Sequence, residues 1–82
     1  MKLFEMIRAA DESGVSGTGK VLEGVVFGGG KTVVQWCVEG KPNSTVVYDT
    51  FDDFKYIHVD SHPTNGTTFN WLPTHPISEI SD

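Results

Sequence analysis

The stretch Gly14-Val-Ser-Gly-Thr-Gly19-Lys20-Val-Leu-Glu-Gly-Val-Val-Phe27 is compatible with two opposite folds. Its first seven residues match the G-x-x-x-x-G-K core of a phosphate-binding P-loop, in which a helix begins at the lysine and a Ser or Thr follows it. Here Val21 follows the lysine, and the segment up to Phe27 is rich in β-branched residues and interrupted by Gly24. This composition favours an extended strand over a helix. We therefore expect the glycines to connect two strands.

The nucleotide-binding interpretation keeps some support and is retained as an alternative. Residues 46–49 could form the apolar strand that ends in a magnesium-binding Asp in such enzymes. However, 82 residues with almost no helical periodicity are too few for several strands joined by crossover helices. The loop that would hold a nucleotide or a small signal molecule consists of Gly14, Gly17, Gly19 and Lys20.

Alternating patterns on both sides of this stretch predict further strands. Residues 21–27 and 32–39, joined by three glycines, form the clearest hairpin. Strands are also predicted over residues 3–8, 45–49, 56–59 and 67–72, with Asn65-Gly66 as the turn of the last hairpin. Thr50, followed three residues later by Asp53, predicts one helical turn that ends at residue 54 or 55.

Five or six short strands, with one helical turn before the last hairpin, predict an all-β fold of the small SH3-like barrel type. A two-layer sheet packed by an N-terminal helix is the main rival. We expect residues 1–72 to form a single β-barrel domain and residues 73–82 to form a flexible C-terminal tail, since nothing in the tail is periodic.

The charge of the chain is unevenly distributed. The net charge is −5, and residues 42–82 contain six acidic residues and one lysine, whereas residues 1–41 are neutral. The second half would repel a nucleic-acid backbone and attract a basic protein surface. Glu5 and Arg8 interrupt the N-terminal apolar stretch, which argues against a signal peptide or a membrane span and predicts a cytoplasmic protein.

Residues that could carry chemistry do not form a convincing catalytic pattern. His58, Asp60, His62 and His75 could offer ligands to a metal, but their loop context fixes no geometry. The aspartates at 49, 52 and 53 are more typical of a solvated patch than of an acid–base pair, which needs two carboxyls in unlike environments. We therefore expect no enzyme activity, metal or cofactor.

A protein-binding surface is the leading expectation. Aromatic residues make up 11% of the chain, more than a barrel of this size can bury, and exposed aromatics beside acids form peptide grooves in SH3-like folds. The residues expected to contact the partner are Tyr48, Asp49, Phe51, Asp52, Asp53, Tyr56, Asp60 and Trp71.

Several short motifs resemble a set of small β-rich proteins of tailed phages and other prokaryotic genomes, with a match over about residues 3–72. The motifs are Gly14-Val-Ser-Gly-Thr-Gly19, Glu23-Gly24-Val25, Trp36 after a glycine turn, Ser44-Thr-Val-Val-Tyr-Asp49, Asp52-Asp53 and His58. The resemblance implies a phage setting and no particular activity. It suggests an inhibitor of a host protein, acting in the host cytoplasm; a self-associating minor virion component is a further alternative.

Overall fold

The computed structural model describes residues 1–10, 18–38 and 40–73. Five antiparallel strands form one open sheet in the order β4-β3-β2-β1-β5. The strands are β1 (Lys2–Arg8), β2 (Gly19–Val26), β3 (Thr32–Trp36), β4 (Ser44–Tyr48) and β5 (Thr68–Leu72). Between β4 and β5 lie the helix α1 (Phe51–Lys55), a π-helical turn (Tyr56–Asp60) and a 3-10 turn (Pro63–Asn65).

The sheet is not closed, so the predicted SH3-like barrel is wrong while the predominantly β architecture is confirmed. β4 and β5 lie at opposite edges of the sheet, because β5 pairs with β1 and β4 pairs only with β3. The helical segment after β4 covers one face instead of contributing a closing strand. The result is a two-layer arrangement. Its helix lies between β4 and β5 in the chain, whereas the rival prediction placed the helix at the N-terminus.

The cross-strand register decides which side chains face α1. Phe4 pairs with Gly24 and Trp71, and Gly24 pairs with Val34, so these residues share one face of the sheet. The core on that face consists of buried side chains from three strands and α1: Phe4, Met6, Val21, Leu22, Val34 and Phe54. Burial of these side chains is the main force that holds α1 against the sheet.

Phe4 lies directly against the backbone of Gly24. A Cβ atom at position 24 would be 2.3 Å from Cζ of Phe4, far inside ordinary contact distance. The Phe4 ring is 1% exposed and is surrounded by other rings, with Phe51 and Trp71 at centroid distances of 5.5 and 5.2 Å. Glycine at this position therefore makes room for the centre of the core.

The predicted strand over residues 56–59 is wrong, because the helix that begins after Thr50 continues into the π-helical turn. The Thr50 hydroxyl accepts a hydrogen bond from the Asp53 backbone N–H, which confirms the predicted cap. The backbone N–H of Tyr56 then donates within the helix, so residue 56 cannot begin a strand. Ring packing of His58 against Phe54 holds the second turn against the core.

Asn65-Gly66 does not form the predicted hairpin. Pro63 begins a 3-10 turn, Gly66 adopts a left-handed φ of 61°, and β5 then returns to pair with β1. The Asn65 carbonyl accepts hydrogen bonds from the N–H groups of Ala9 and Ala10, which ties this turn to the end of β1. The predicted flexible tail beyond Pro73 lies outside the described residues.

Candidate functional site

Two regions of the described structure carry features suited to binding. The first, named here the His58 cluster, consists of Arg8, Trp36, Tyr48 and His58. The second, the α1 surface, consists of exposed or partly exposed residues on and beside the helical segment: Asp49, Phe51, Asp52, Asp53, Tyr56, Ile57, Asp60 and Trp71.

The His58 cluster forms beneath the π-helical turn, where the side chains of Arg8 at the end of β1, Trp36 at the end of β3 and Tyr48 at the end of β4 all reach His58. Register places Tyr48 opposite the buried Thr32, so the tyrosine side chain points to the covered face of the sheet. Its hydroxyl lies 2.7 Å from Nε2 of His58. The His58 ring also packs edge-on against Trp36, with a centroid distance of 5.0 Å.

Burial changes the protonation behaviour of this Tyr–His pair. The pKa of His58 is lowered, first by burial and then by the positive charges of Arg8 and His62. Burial raises the pKa of Tyr48. At neutral pH both groups are therefore uncharged, and one hydrogen bond joins the Tyr48 hydroxyl and Nε2 of His58, with the donor set by the tautomer of the ring. A neutral imidazole beside a protonated hydroxyl can accept and donate hydrogen bonds to a ligand.

Arg8 joins β1 to the π-helical turn. The residue is 3% exposed, and its Nη2 donates a hydrogen bond of 3.0 Å to the His58 carbonyl. Its guanidinium carbon lies 5.5 Å from the centroid of the Trp36 ring, a cation–π distance. Arg8 therefore places a buried positive charge next to the Tyr48–His58 pair.

The acidic part of the α1 surface surrounds the start of the helix. Asp52 and Asp53 lie exposed in the first turn of α1, where the helix dipole favours negative charge. Asp49 is 3.7 Å from Lys31 and Asp60 is 3.0 Å from Lys55, in ion pairs whose partners are exposed. Such pairs are weak, so residues 49–60, with four carboxylates and one lysine, keep a strong negative field.

The apolar part of the α1 surface lies beside these acids. Tyr56 is 68% exposed and Ile57 is 47% exposed. Trp71 is 45% exposed and packs against Phe51, at a centroid distance of 5.4 Å, which links β5 to α1. An open groove of about 430 Å³ runs beside Trp71 and is lined also by Lys2, Leu72 and Pro73.

The structure separates the residues that the sequence grouped into one partner surface. Asp49, Asp52, Asp53, Tyr56 and Asp60 are exposed on the helical segment, and Trp71 is exposed on β5. Phe51 is half-buried against Phe4 and Phe69, whereas the Tyr48 side chain turns into the His58 cluster. Tyr48 therefore belongs to the His58 cluster rather than to the α1 surface.

The described end of the candidate phosphate loop is a strand and not the start of a helix. Gly14 and Gly17 lie outside the described residues. The strand predicted from residue 21 begins two residues earlier, so Gly19 and Lys20 belong to β2. Nζ of Lys20 lies 3.0 Å from Glu5 and 3.4 Å from Glu23. The hydrogen bond that Lys20 donates to Glu5 is the main cause of the raised pKa of Lys20, so this cation already faces carboxylates of its own chain.

Arg8 and Trp36 were missed as site residues from the sequence. The available signal was the alternation in β1, which places Arg8 on the same face as the apolar Phe4 and Met6. A cation at a buried position requires polar partners nearby, and this requirement could have pointed to the end of β1.

The described residues hold neither a group of metal ligands nor a helix that could span a membrane. Within residues 1–10, 18–38 and 40–73, no three His, Cys, Asp or Glu side chains are grouped so as to hold a metal ion. In the same part of the chain, every helix is too short or too polar to cross a membrane.

Comparison with known proteins gives one match. No curated protein and no solved structure matches the chain significantly. Residues 1–73 match the sequence profile of a family described as Acb5 phage protein. This match covers most of the 82 residues and includes every described strand and helix. The chain therefore belongs to the Acb5 phage protein family.

Proposed function

We propose that this phage protein is a non-enzymatic inhibitor that binds a basic surface of a host protein through the α1 surface. The observation that carries the proposal is the juxtaposition of exposed Tyr56 and Ile57 with the exposed carboxylates of Asp52 and Asp53 on one short helical segment. Membership in a phage protein family is consistent with this role.

The two kinds of side chain would contribute different terms to binding. Aromatic residues such as Tyr56 and Trp71 commonly supply most of the free energy of association when a partner removes them from water. The carboxylates would instead raise the association rate by attracting a basic partner, by a factor of roughly 10 to 1,000 at low salt. The inhibitor would thus imitate the charge of an acidic ligand of its target.

Capture of host proteins with wild-type protein and with Asp52→Asn/Asp53→Asn tests the proposal. These substitutions keep the side-chain size, and the Thr50 cap binds the backbone N–H of Asp53, so the helix is expected to remain. We expect the double variant to associate with the captured partner at least about ten times more slowly than wild type. Glu23→Gln, an exposed carboxylate of β2 outside the α1 surface, is the matched control and should bind normally.

A second candidate function is binding of a small anionic or polar signal molecule at the His58 cluster. The observation that favours it is the 2.7 Å contact between Tyr48 and His58, both of which have perturbed pKa values, beside the buried cation of Arg8. Groups with perturbed pKa values are concentrated at functional sites. π-helical turns, such as the one that carries His58, are also frequent at functional sites.

A thermal-shift screen with nucleotides and other small anions tests this second candidate. A ligand present at 100 times its dissociation constant stabilises the protein by about 2.7 kcal/mol. Tyr48→Phe should remove most of that stabilisation if the ligand binds at the His58 cluster, and Lys20→Ala should remove it if the glycine loop is the site. A shift that both variants retain would argue against either location.

A further inference from the structure

The π-helical turn depends on two half-buried residues for its contact with the sheet. Of its five residues, His58 and Val59 are half-buried and the other three are exposed. Val59 packs against the apolar core, and His58 makes hydrogen bonds to β1 and β4. The exposed residues of the turn, Tyr56, Ile57 and Asp60, belong to the α1 surface. The form of that surface therefore depends on how His58 is held.

Arg8 supplies a hydrogen bond that the end of the helical segment cannot make internally. The His58 carbonyl lies in the last turn, where carbonyls lack helical partners. The N–H of His62 is donated to Val59, and Pro63 has no N–H to offer. Nη2 of Arg8, 3.0 Å from the His58 carbonyl, takes this place from β1. A cation at the C-terminal end of a helix is also favoured by the helix dipole.

The His58 ring occupies the space between the turn and the elements beneath it. Its centroid lies 5.0 Å from that of Trp36, 5.5 Å from that of Phe54 and 5.8 Å from that of Tyr48. The guanidinium carbon of Arg8 lies 5.5 Å from the same Trp36 ring. An imidazolium formed at His58 would therefore share this confined space with the buried cation of Arg8.

The groups that face His58 from neighbouring elements supply no negative charge to offset a protonated ring. They are Arg8 on β1, Tyr48 on β4 and His62 after the turn, with the uncharged rings of Trp36 on β3 and Phe54 on α1. Asp60, the acid of the turn itself, pairs with Lys55 at 3.0 Å. Burial, followed by the positive charges of Arg8 and His62, accordingly lowers the pKa of His58.

We propose that His58 is an acid-sensitive latch, a contact that holds the π-helical turn on the sheet while the ring is neutral and releases the turn when the ring is protonated. The hydrogen bond to Tyr48 does not oppose release or cause it, because a protonated Nε2 can still donate to the hydroxyl oxygen. The cause of release is charge. A second cation beside Arg8 is repelled by the first, and burial disfavours it further.

The direction of the pH effect follows from the lowered pKa. The open turn gives the ring its ordinary pKa of 6.5, and the closed turn gives it a lower pKa. The latch is therefore fully closed well above pH 6.5 and weakens as the pH falls below that value. At about pH 5 a ring with a pKa of 6.5 is protonated roughly thirty times more often than not, so the open-to-closed ratio can rise at most about thirtyfold. We expect a rise of several-fold.

Release of the turn has a consequence for binding, and this consequence alone rests on the proposed function. If the closed turn is the form that a host partner recognises, the apparent dissociation constant rises as the fraction of closed turn falls. Opening of the turn can be measured without any partner. A failure of the latch and a failure of the proposed function are therefore distinguishable.

Hydrogen exchange of the full chain tests the latch. The N–H groups of Ser61 and His62, bonded to the carbonyls of Tyr56 and Val59, report on the turn, and the amides that pair β2 with β3 report on the sheet. After correction for the intrinsic pH dependence of exchange, we expect protection in the turn to fall several-fold from pH 7.5 to about pH 5. Protection in the turn should also stay below that in the sheet at both pH values. Equal protection in the turn and the sheet would show that the turn opens only by global unfolding, and would overturn the proposal.

Two variants and one titration assign the effect to His58. His58→Gln should remove the pH dependence of protection in the turn, because the glutamine amide cannot be protonated and can still form a hydrogen bond. His62→Gln removes the neighbouring imidazole and is the matched control, which should keep most of the wild-type pH dependence. An NMR titration of the wild-type ring needs no variant, and we expect a midpoint below 6.5. A midpoint at or above that value, or the same pH dependence in wild type and His58→Gln, would overturn the latch.

Discussion

Replacement of Gly24 by alanine should destabilise the fold by about 2 kcal/mol, although the substitution adds only one methyl group. An ideal Cβ at this position would lie 2.3, 2.7 and 2.9 Å from three atoms of the Phe4 ring. Ordinary contacts need at least about 1 Å more, so the ring must move. It is confined by Phe51, Phe54, Phe69 and Trp71, whose ring centroids lie 5.2 to 5.9 Å away.

The expected loss of folding stability in Gly24→Ala is the difference between two effects. Overpacking a filled core costs about 1–3 kcal/mol, and the confinement of Phe4 argues for the upper part of that range. Alanine has less conformational freedom than glycine in the unfolded chain, and this difference offsets about 0.4–1 kcal/mol of the overpacking cost. The net loss corresponds to a fall in melting temperature of roughly 10 °C for a domain of this size.

Urea unfolding followed by tryptophan fluorescence measures this loss. Gly28→Ala is the matched control, because nothing lies within 4 Å of a Cβ there and its φ is not positive. A second test is Phe4→Leu, which should cost less in the Gly24→Ala background than in wild type, with a coupling of at least about 1 kcal/mol. Equal midpoints for Gly24→Ala and Gly28→Ala would show that Phe4 does not rest on this glycine.

Substitutions at three further positions test the helical segment and the His58 cluster. Thr50→Ala should cost about 1 kcal/mol in urea unfolding by removing the helix cap, whereas Thr50→Ser should keep the stability of wild type. Tyr48→Phe should also cost about 1 kcal/mol, because it leaves Nε2 of the half-buried His58 without its hydrogen bond; a cost near zero would argue against the 2.7 Å contact. The pKa of His58 is lowered by folding, so the stabilising contribution is complete above the unfolded value of 6.5 and is lost as the pH falls below it. Unfolding midpoints measured from pH 7.5 to about pH 5 should fall less in His58→Gln than in wild type, and parallel curves would contradict the assignment.

The strands of the sheet could be predicted from the sequence because alternation and glycine turns specify them locally. The ends of β2, β3 and β4 differ from the prediction by no more than three residues. A strand was predicted over residues 56–59 because Tyr, Ile and Val favour strands. The Thr50 cap instead begins a helix that continues through these residues. In addition, Phe51, Phe54 and His58 lie three and four residues apart, which is the spacing of one helical face. This spacing indicates a helix, but the prediction gave more weight to the strand-favouring composition of residues 56–59.

Closure of the sheet and the composition of the site could not be predicted in this way. Whether an alternating sequence forms a barrel or an open sheet depends on which strands meet, and β5 pairs with β1 over a separation of more than sixty residues. The inward orientation of Tyr48 depends on its pairing with Thr32, a register that the apolar residues of β4 do not specify. The cap at Thr50 could be predicted because helix capping is a local signal, and it places Asp52 and Asp53 in the first turn of α1.

The most direct test of the proposed function is the salt dependence of binding between the captured host partner and the wild-type chain. Ionic strength is raised from about 0.1 M to about 1 M, which shortens the Debye length from about 10 Å to about 3 Å. We predict that the association rate falls at least about tenfold for wild type and much less for Asp52→Asn/Asp53→Asn. Association that is indifferent to salt, or equally sensitive in both proteins, would contradict a charge-guided interface at the α1 surface.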